Sequence, residues 1–164
     1  MVGYQNHPAN AVGRLERKRS ILSQDKCRVR MEDRRWKPSG RISAVRDLFV
    51  YTKAFDAAME VFELSKAFPK EELYSLTDQI RRSSRSVCAN LSEAWRKRRY
   101  RAVFVNKLTD AGQEAAETQT WLEFALTWGY LDQQIYEKLF NKYEEIFAML
   151  HSMTNKSDTF CKVG

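Results

Sequence analysis

Apolar residues recur along most of this chain in steps of four and three, the spacing that keeps one face of a helix turned inward. A first run is Leu48, Thr52, Phe55, Met59 and Phe62, widened by Phe49, Ala58 and Val61. Ser43 stands ahead of it as an N-cap, and Pro69 ends it by disfavouring helical geometry at Phe68. The pattern predicts a helix over about 44–67. Pro69 then suits the first turn of a second helix, about 70–97, where Glu71 and Glu72 complement the positive end of the dipole. Its seam is Leu73, Leu76, Ile80, Ser83, Val87, Asn90 or Leu91, and Ala94. A third seam, Phe104, Leu108, Ala111, Ala115, Thr118, Leu122 and Ala125, predicts a helix over about 101–128, closed by Gly129 at C′. Asp132 caps a fourth helix, about 132–154, carrying Ile135, Leu139, Tyr143, Ile146, Leu150 and Met153. Residues 156–164 read as a frayed tail.

Helices of these lengths extend about 35–45 Å each, and short connections make sequential neighbours antiparallel. The expected fold is all-α: an antiparallel up-down-up-down four-helix bundle over 44–155. Ser83, Ser84, Ser86, Cys88 and Ala89 make the second helix thin at its centre, and Ala111, Gly112 and Ala115 do the same for the third. Two thin faces predict close packing, within a protomer or between protomers. Asn90 and Glu93 lie near the second seam, where a polar residue fixes register or assembly state. Trp95, Trp121, Phe124, Trp128, Phe140 and Phe147 exceed what one seam per helix needs, which points to a homo-oligomer.

Charge changes the picture only once it is located. The chain has 164 residues and a formal net charge of +7. Residues 1–43 hold 11 of the 28 Lys and Arg but 4 of the 21 Asp and Glu, so the other 17 bases and 17 acids cancel and the whole excess lies in this stretch. With Gly3, Pro8, Gly13, Pro38 and Gly40 and no sustained period, residues 1–43 read as a flexible, disordered basic arm. Either the arm holds a nucleic-acid backbone through charge, or it is a solvated extension or translated upstream sequence with Met31 as the start. Cys27, Cys88 and Cys161 are few and far apart, which fits reduced thiols in a cytoplasm. No stretch of about 18 apolar residues is present to cross a bilayer, so no membrane partner is expected.

One local patch stands out inside the bundle. Residues 81–101 place eight bases, Arg81, Arg82, Arg85, Arg96, Lys97, Arg98, Arg99 and Arg101, against the single acid Glu93. Arginine forks suit phosphate oxygens, and Trp95 and Tyr100 supply rings on which bases could stack. RNA or DNA backbone is the expected partner. The competing reading pairs Arg81, Arg82 and Arg85 with Asp78, Glu93 or the third-helix acids Glu114, Glu117 and Glu123. Nothing points to a reaction, a cofactor or a metal: the histidines are His7 and His151, and no P-loop, dinucleotide fingerprint or Glu-x-x-His repeat occurs. The chain is therefore not expected to be an enzyme. The rival function is a protein–protein scaffold with no nucleic-acid role, binding through aromatic and acidic faces and sensitive to change at Trp121 or Trp128.

Three blocks carry a resemblance. Asp47, Leu48, Val50, Tyr51, Lys53 and Ala54 form the first; Phe68, Pro69, Glu72, Tyr74, Leu76, Gln79, Ile80, Arg81, Arg82 and Ser83 the second; Asn90, Leu91, Ser92, Glu93 and Ala94 the third. Glu114, Glu117, Thr118 and Gln119, then Gly129, Tyr130 and Leu131, fit the later pattern. Over about residues 44–155 the chain resembles the small four-helix-bundle family first met as reading frames inside intervening sequences of bacterial 23S ribosomal RNA genes. The arm falls outside the resemblance. What the resemblance implies is a homo-oligomer, a ring-like pentamer, similar to accessory proteins of retroelements that work with a reverse transcriptase and nucleic acid.

Overall fold

A computed structural model describes residues 42–161. The basic arm, with both readings of it, lies outside the described residues. Four long helices form the bundle: α1 (Phe49–Ser65), α2 (Leu76–Lys97), α3 (Arg101–Thr127) and α4 (Gln133–Asn155), followed by a short α5 (Ser157–Cys161). One-turn 3-10 helices, Val45–Asp47 and Lys70–Glu72, precede α1 and α2. Each long helix packs on two neighbours, α1 and α3 both lying against α2 and α4. The described residues contain no strand.

The helix ends follow from local chemistry. Gly129, at φ 73°, closes α3 with a paired motif: its N–H donates to the Leu126 carbonyl at 2.9 Å, and the Tyr130 N–H donates to Ala125 at 2.8 Å. The Ile135 N–H donates to the Asp132 carboxylate at 2.8 Å, capping α4. The other ends differ from the sequence expectation. Ser43 is not the cap of a continuous first helix. Its N–H and hydroxyl, with the Ala44 N–H, all donate to the Asp47 carboxylate at 2.6–2.9 Å, which ties a separate turn ahead of α1. Helix α2 starts at Leu76 rather than 70, because the Glu72 carboxylate accepts from the Ser75 hydroxyl and Leu76 N–H and so ends one turn and caps the next. The chain after Asn155 is not frayed up to Cys161. Ser157 is fully buried, its hydroxyl accepts from Arg101 Nε at 3.0 Å, and Phe160 packs on Phe104 with ring centroids 5.9 Å apart.

The core is largely the seams read from the sequence. Leu76, Ile80, Ser83, Val87, Leu91 and Ala94 of α2 are buried, as is every predicted seam residue of α3. These two helices share the most extensive contact in the bundle. At its centre Thr118 Oγ1 meets Ser83 Oγ at 2.9 Å, so two small polar side chains satisfy one another where the helices come close. Gly112 belongs elsewhere: a methyl group there would meet Phe147 and Leu150 of α4. Helix α1 is turned away from its predicted seam. It buries Val50, Ala54, Ala57, Ala58, Val61, Leu64 and Ser65. Phe49, Phe55 and Phe62 remain 71, 49 and 38 % exposed. Alanines let α1 lie close to its neighbours, and that closeness leaves the phenylalanines outside.

Candidate nucleic-acid interface

The antiparallel course brings the start of α1, the turn between α2 and α3, and α5 to one end of the bundle. Most of the cationic cluster is there. No glycine or proline marks the α2–α3 turn. Instead Arg98 supplies the stop: its guanidinium donates to the Trp95 carbonyl at 2.6 Å and lies over the Trp95 ring at 4.1 Å. Tyr100 is extended, and the Tyr100 carbonyl accepts the first α3 hydrogen bond, from the Phe104 N–H at 2.9 Å. Positive side chains at Arg96 and Lys97 suit the negative end of the α2 dipole. The same dipole argument disfavours Arg101 at the start of α3, and Asp158 answers it with an ion pair of 2.7 Å.

The structure sorts the eight predicted bases into separate tasks. Arg96 and Arg99 are exposed and have no carboxylate partner among the described residues. The Arg99 guanidinium sits 4.9 Å from the Tyr100 ring, which is 56 % exposed. Lys97 approaches Glu93 only at 4.0 Å. Arg85 is exposed and donates to the Arg81 carbonyl at 2.7 Å. Arg85 and Arg96 share one outward face of α2, and Arg99 follows in the turn. Arg82 is exposed on the side of α3 and its charge acts on Glu114, whose carboxyl burial and Glu117 push up and Arg82 pulls down. Arg98 and Arg101 are spent on the turn and on α5.

Two residues depart from the sequence expectation. Trp95 cannot offer a face to a base, because it is buried and Arg98 covers it. Arg81 pairs with none of the acids proposed for it. Its Nε donates to Ser65 Oγ at 2.7 Å and its guanidinium stacks on Phe62 at 5.0 Å, so it joins α2 to α1. Of Asn90 and Leu91, it is Leu91 that takes the seam position, and Asn90 stands half-buried beside it, its amide donating to the Ser86 carbonyl at 3.1 Å. Asn90 and Glu93 do meet at one group, Lys107 of α3, at 3.4 and 3.1 Å, and Asp110 joins them at 3.1 Å. The hydrogen bonds that Lys107 donates to Asp110 and Glu93 hold its ammonium above its ordinary range. Two cations were missed. Arg46 and Lys156 are exposed and lie at the cationic end by topology, but neither belongs to a run of charge along the sequence.

Among the described residues no three His, Cys, Asp or Glu side chains come together to hold a metal, and no helix is long and apolar enough to cross a membrane.

The family model for 23S rRNA-intervening sequence proteins matches residues 46–152. The chain belongs to that family. A crystal structure of a protein of unknown function from the S23 ribosomal protein family of Bacteroides thetaiotaomicron superposes with a TM-score of 0.60 at 34% identity, over 65% of this chain and 95% of that one. No curated protein matches. In this intervening-sequence protein several residues that carry the resemblance hold the fold rather than face solvent. Asp47 ties the entry turn, Phe68 stacks on Tyr130 at 5.8 Å, and the first of the two adjacent arginines fastens α2 to α1.

Proposed function

We propose that this intervening-sequence protein is a non-catalytic, homo-oligomeric accessory protein of the cytoplasm, a pentameric ring that binds the backbone of RNA or DNA. A reverse transcriptase or another nucleic-acid enzyme is its expected protein partner. The observation that supports the binding reading is the set Arg96, Lys97, Arg99 and Tyr100. Three cations and one ring stand exposed at one end, with only Lys97 near a carboxylate. Phosphate contacts of this kind read charge, not sequence. Exposed Phe55 and Phe62, seven residues apart on one face of α1, support assembly, since paired apolar side chains on a surface are often covered by a neighbour. A ring repeats the cationic end once per subunit and so gains avidity from weak contacts.

The test is fluorescence anisotropy of full-length protein with labelled single-stranded RNA and DNA across a salt series. Replacing Arg96, Lys97 and Arg99 together by Ala should weaken binding about tenfold or more. The plot of log affinity against log salt should also become shallower, by about 0.7 for each phosphate that the variant no longer neutralises. Arg98 is left alone because it closes the turn. An unchanged affinity and slope in the variant would remove the site, and absence of binding by the parent at about 50 mM salt would remove the function. Sedimentation velocity reads the assembly, and a monomer would overturn that part.

A further inference from the structure

The opposite end of the bundle carries different chemistry. Five aromatic rings lie in unbroken contact there: Trp121 with Phe124 at 5.7 Å, Phe124 with Trp128 at 5.2 Å, Trp128 with Tyr130 at 6.0 Å, and Tyr130 with Phe68 at 5.8 Å. Trp128 is 48 % and Phe124 42 % exposed. Carboxylates bound the ladder at both ends. Trp121 Nε1 donates to Glu117 at 3.0 Å, and the Tyr130 hydroxyl reaches Glu72 at 3.4 Å. Burial, with Glu72 and Glu71 adding to it, pushes the Tyr130 phenol up, and burial with Glu123 does the same for Tyr136. Glu71 and Glu123 are themselves exposed. Of the bases at this end, Lys66 is engaged by Glu63 at 2.8 Å, and Lys70 is exposed next to Glu71 and Glu72 in the same turn.

We propose that this ladder is a docking surface for an arginine-rich segment of a partner protein. The charge sign and the ring type select that occupant together. Carboxylates at both margins repel nucleic acid and attract a cation, and the bare faces of an indole and a phenyl favour a guanidinium, which stacks, over an ammonium, which stays hydrated. A purely apolar partner would leave the carboxylates unanswered. The surface is separate from the cationic end, so a partner protein and a nucleic acid can be held at once.

The probes are fluorescein-labelled hexa-arginine and hexa-lysine peptides, titrated by anisotropy against the full chain at low salt. Hexa-arginine should bind several-fold tighter than hexa-lysine. Trp128→Ala should weaken hexa-arginine by about fivefold and erase the preference. Glu71→Gln with Glu117→Gln should weaken both peptides. The Arg96, Lys97 and Arg99 replacements should weaken neither. Equal affinity for the two peptides, or no effect of Trp128→Ala, overturns the proposal. So does a change in sedimentation of Trp128→Ala without a change in peptide affinity, because the ladder is then a contact between copies. Trp128 is half exposed, and circular dichroism checks that its variant keeps the parent's helix content.

Discussion

Helix α3 begins and ends in aromatic side chains that meet opposite fates. Near its start Phe104 is fully buried under Phe160. At its other end Phe124 and Trp128 face solvent. The ring type does not decide this; the chain that follows does. The cationic end has α5 to lay over Phe104. At the far end only residues 128–132 separate α3 from α4, and that turn sets Tyr130 against one side of Trp128 and leaves the rest of the indole exposed. At the cationic end the α3 ring is covered, although Phe49 and Tyr100 stand exposed beside the charges; at the other end the exposed rings touch one another in a continuous ladder. A segment laid over a helix end can thus settle whether an aromatic residue is core or contact surface.

The sharpest way to break this comparison is to truncate one ring at each end. Phe104→Ala should destabilise by about 3–5 kcal/mol in urea unfolding. Trp128→Ala should stay within about 0.5 kcal/mol, as exposed substitutions do. Similar costs would mean that the exposed ladder is as much core as Phe104 is. A smaller effect separates the cover from the ring. Arg101→Ala removes an exposed ion pair to Asp158 and the hydrogen bond to the buried Ser157 hydroxyl, and should cost about 1 kcal/mol, most of it from Ser157. Its signature is local: amides of 157–161 should lose hydrogen-exchange protection while α2 and α3 keep theirs. Unchanged protection would show that Phe160 holds α5 alone. The smallest effect is a pH dependence at the entry turn. Burial raises the Asp47 carboxyl, but the hydrogen bonds from Ser43 and Ala44 outweigh it and hold the group below its ordinary 3.8. A depressed carboxylate contributes stability that is complete above the unfolded value and is lost as pH falls through the folded one. Asp47→Asn should thus lower the thermal midpoint at pH 7 by a few degrees and flatten its decline below about pH 4. A parallel decline in both proteins would assign the acid sensitivity elsewhere.

Most of the fold was legible in the sequence because α2, α3 and α4 obey one rule: their large aliphatic residues face inward at helical spacing. Helix α1 was misread for a physical reason. Ala58 and Val61 of the expected stripe are buried, but Ala54 and Ala57 complete the inward face, and a reading that weights size prefers Phe55 and Phe62 to them. Gly129 and Asp132 were legible because each acts on its own neighbours in the chain. Contacts between distant segments were not. Arg101 with Ser157 and Asp158, Arg81 with Ser65, and Tyr130 with Glu72 each need the bundle to be closed before the partners meet. For the same reason the charge run at residues 96–101 was visible, but its division into a helix stop, an α5 anchor and an exposed remainder was not.

The depth of Cys88 has a practical consequence. Burial, with Asp56 adding to it, pushes its thiol up to about 12, so at pH 8 only about one molecule in ten thousand carries the reactive thiolate. Cys161 closes α5, where burial also raises the thiol but the Arg101 charge pulls the other way. Once Cys27 is replaced by Ser, a maleimide dye should therefore choose Cys161 and leave Cys88 untouched. The chain then carries a single optical reporter on the segment that covers Phe104. Release of that segment could be followed in real time, with no new cysteine introduced.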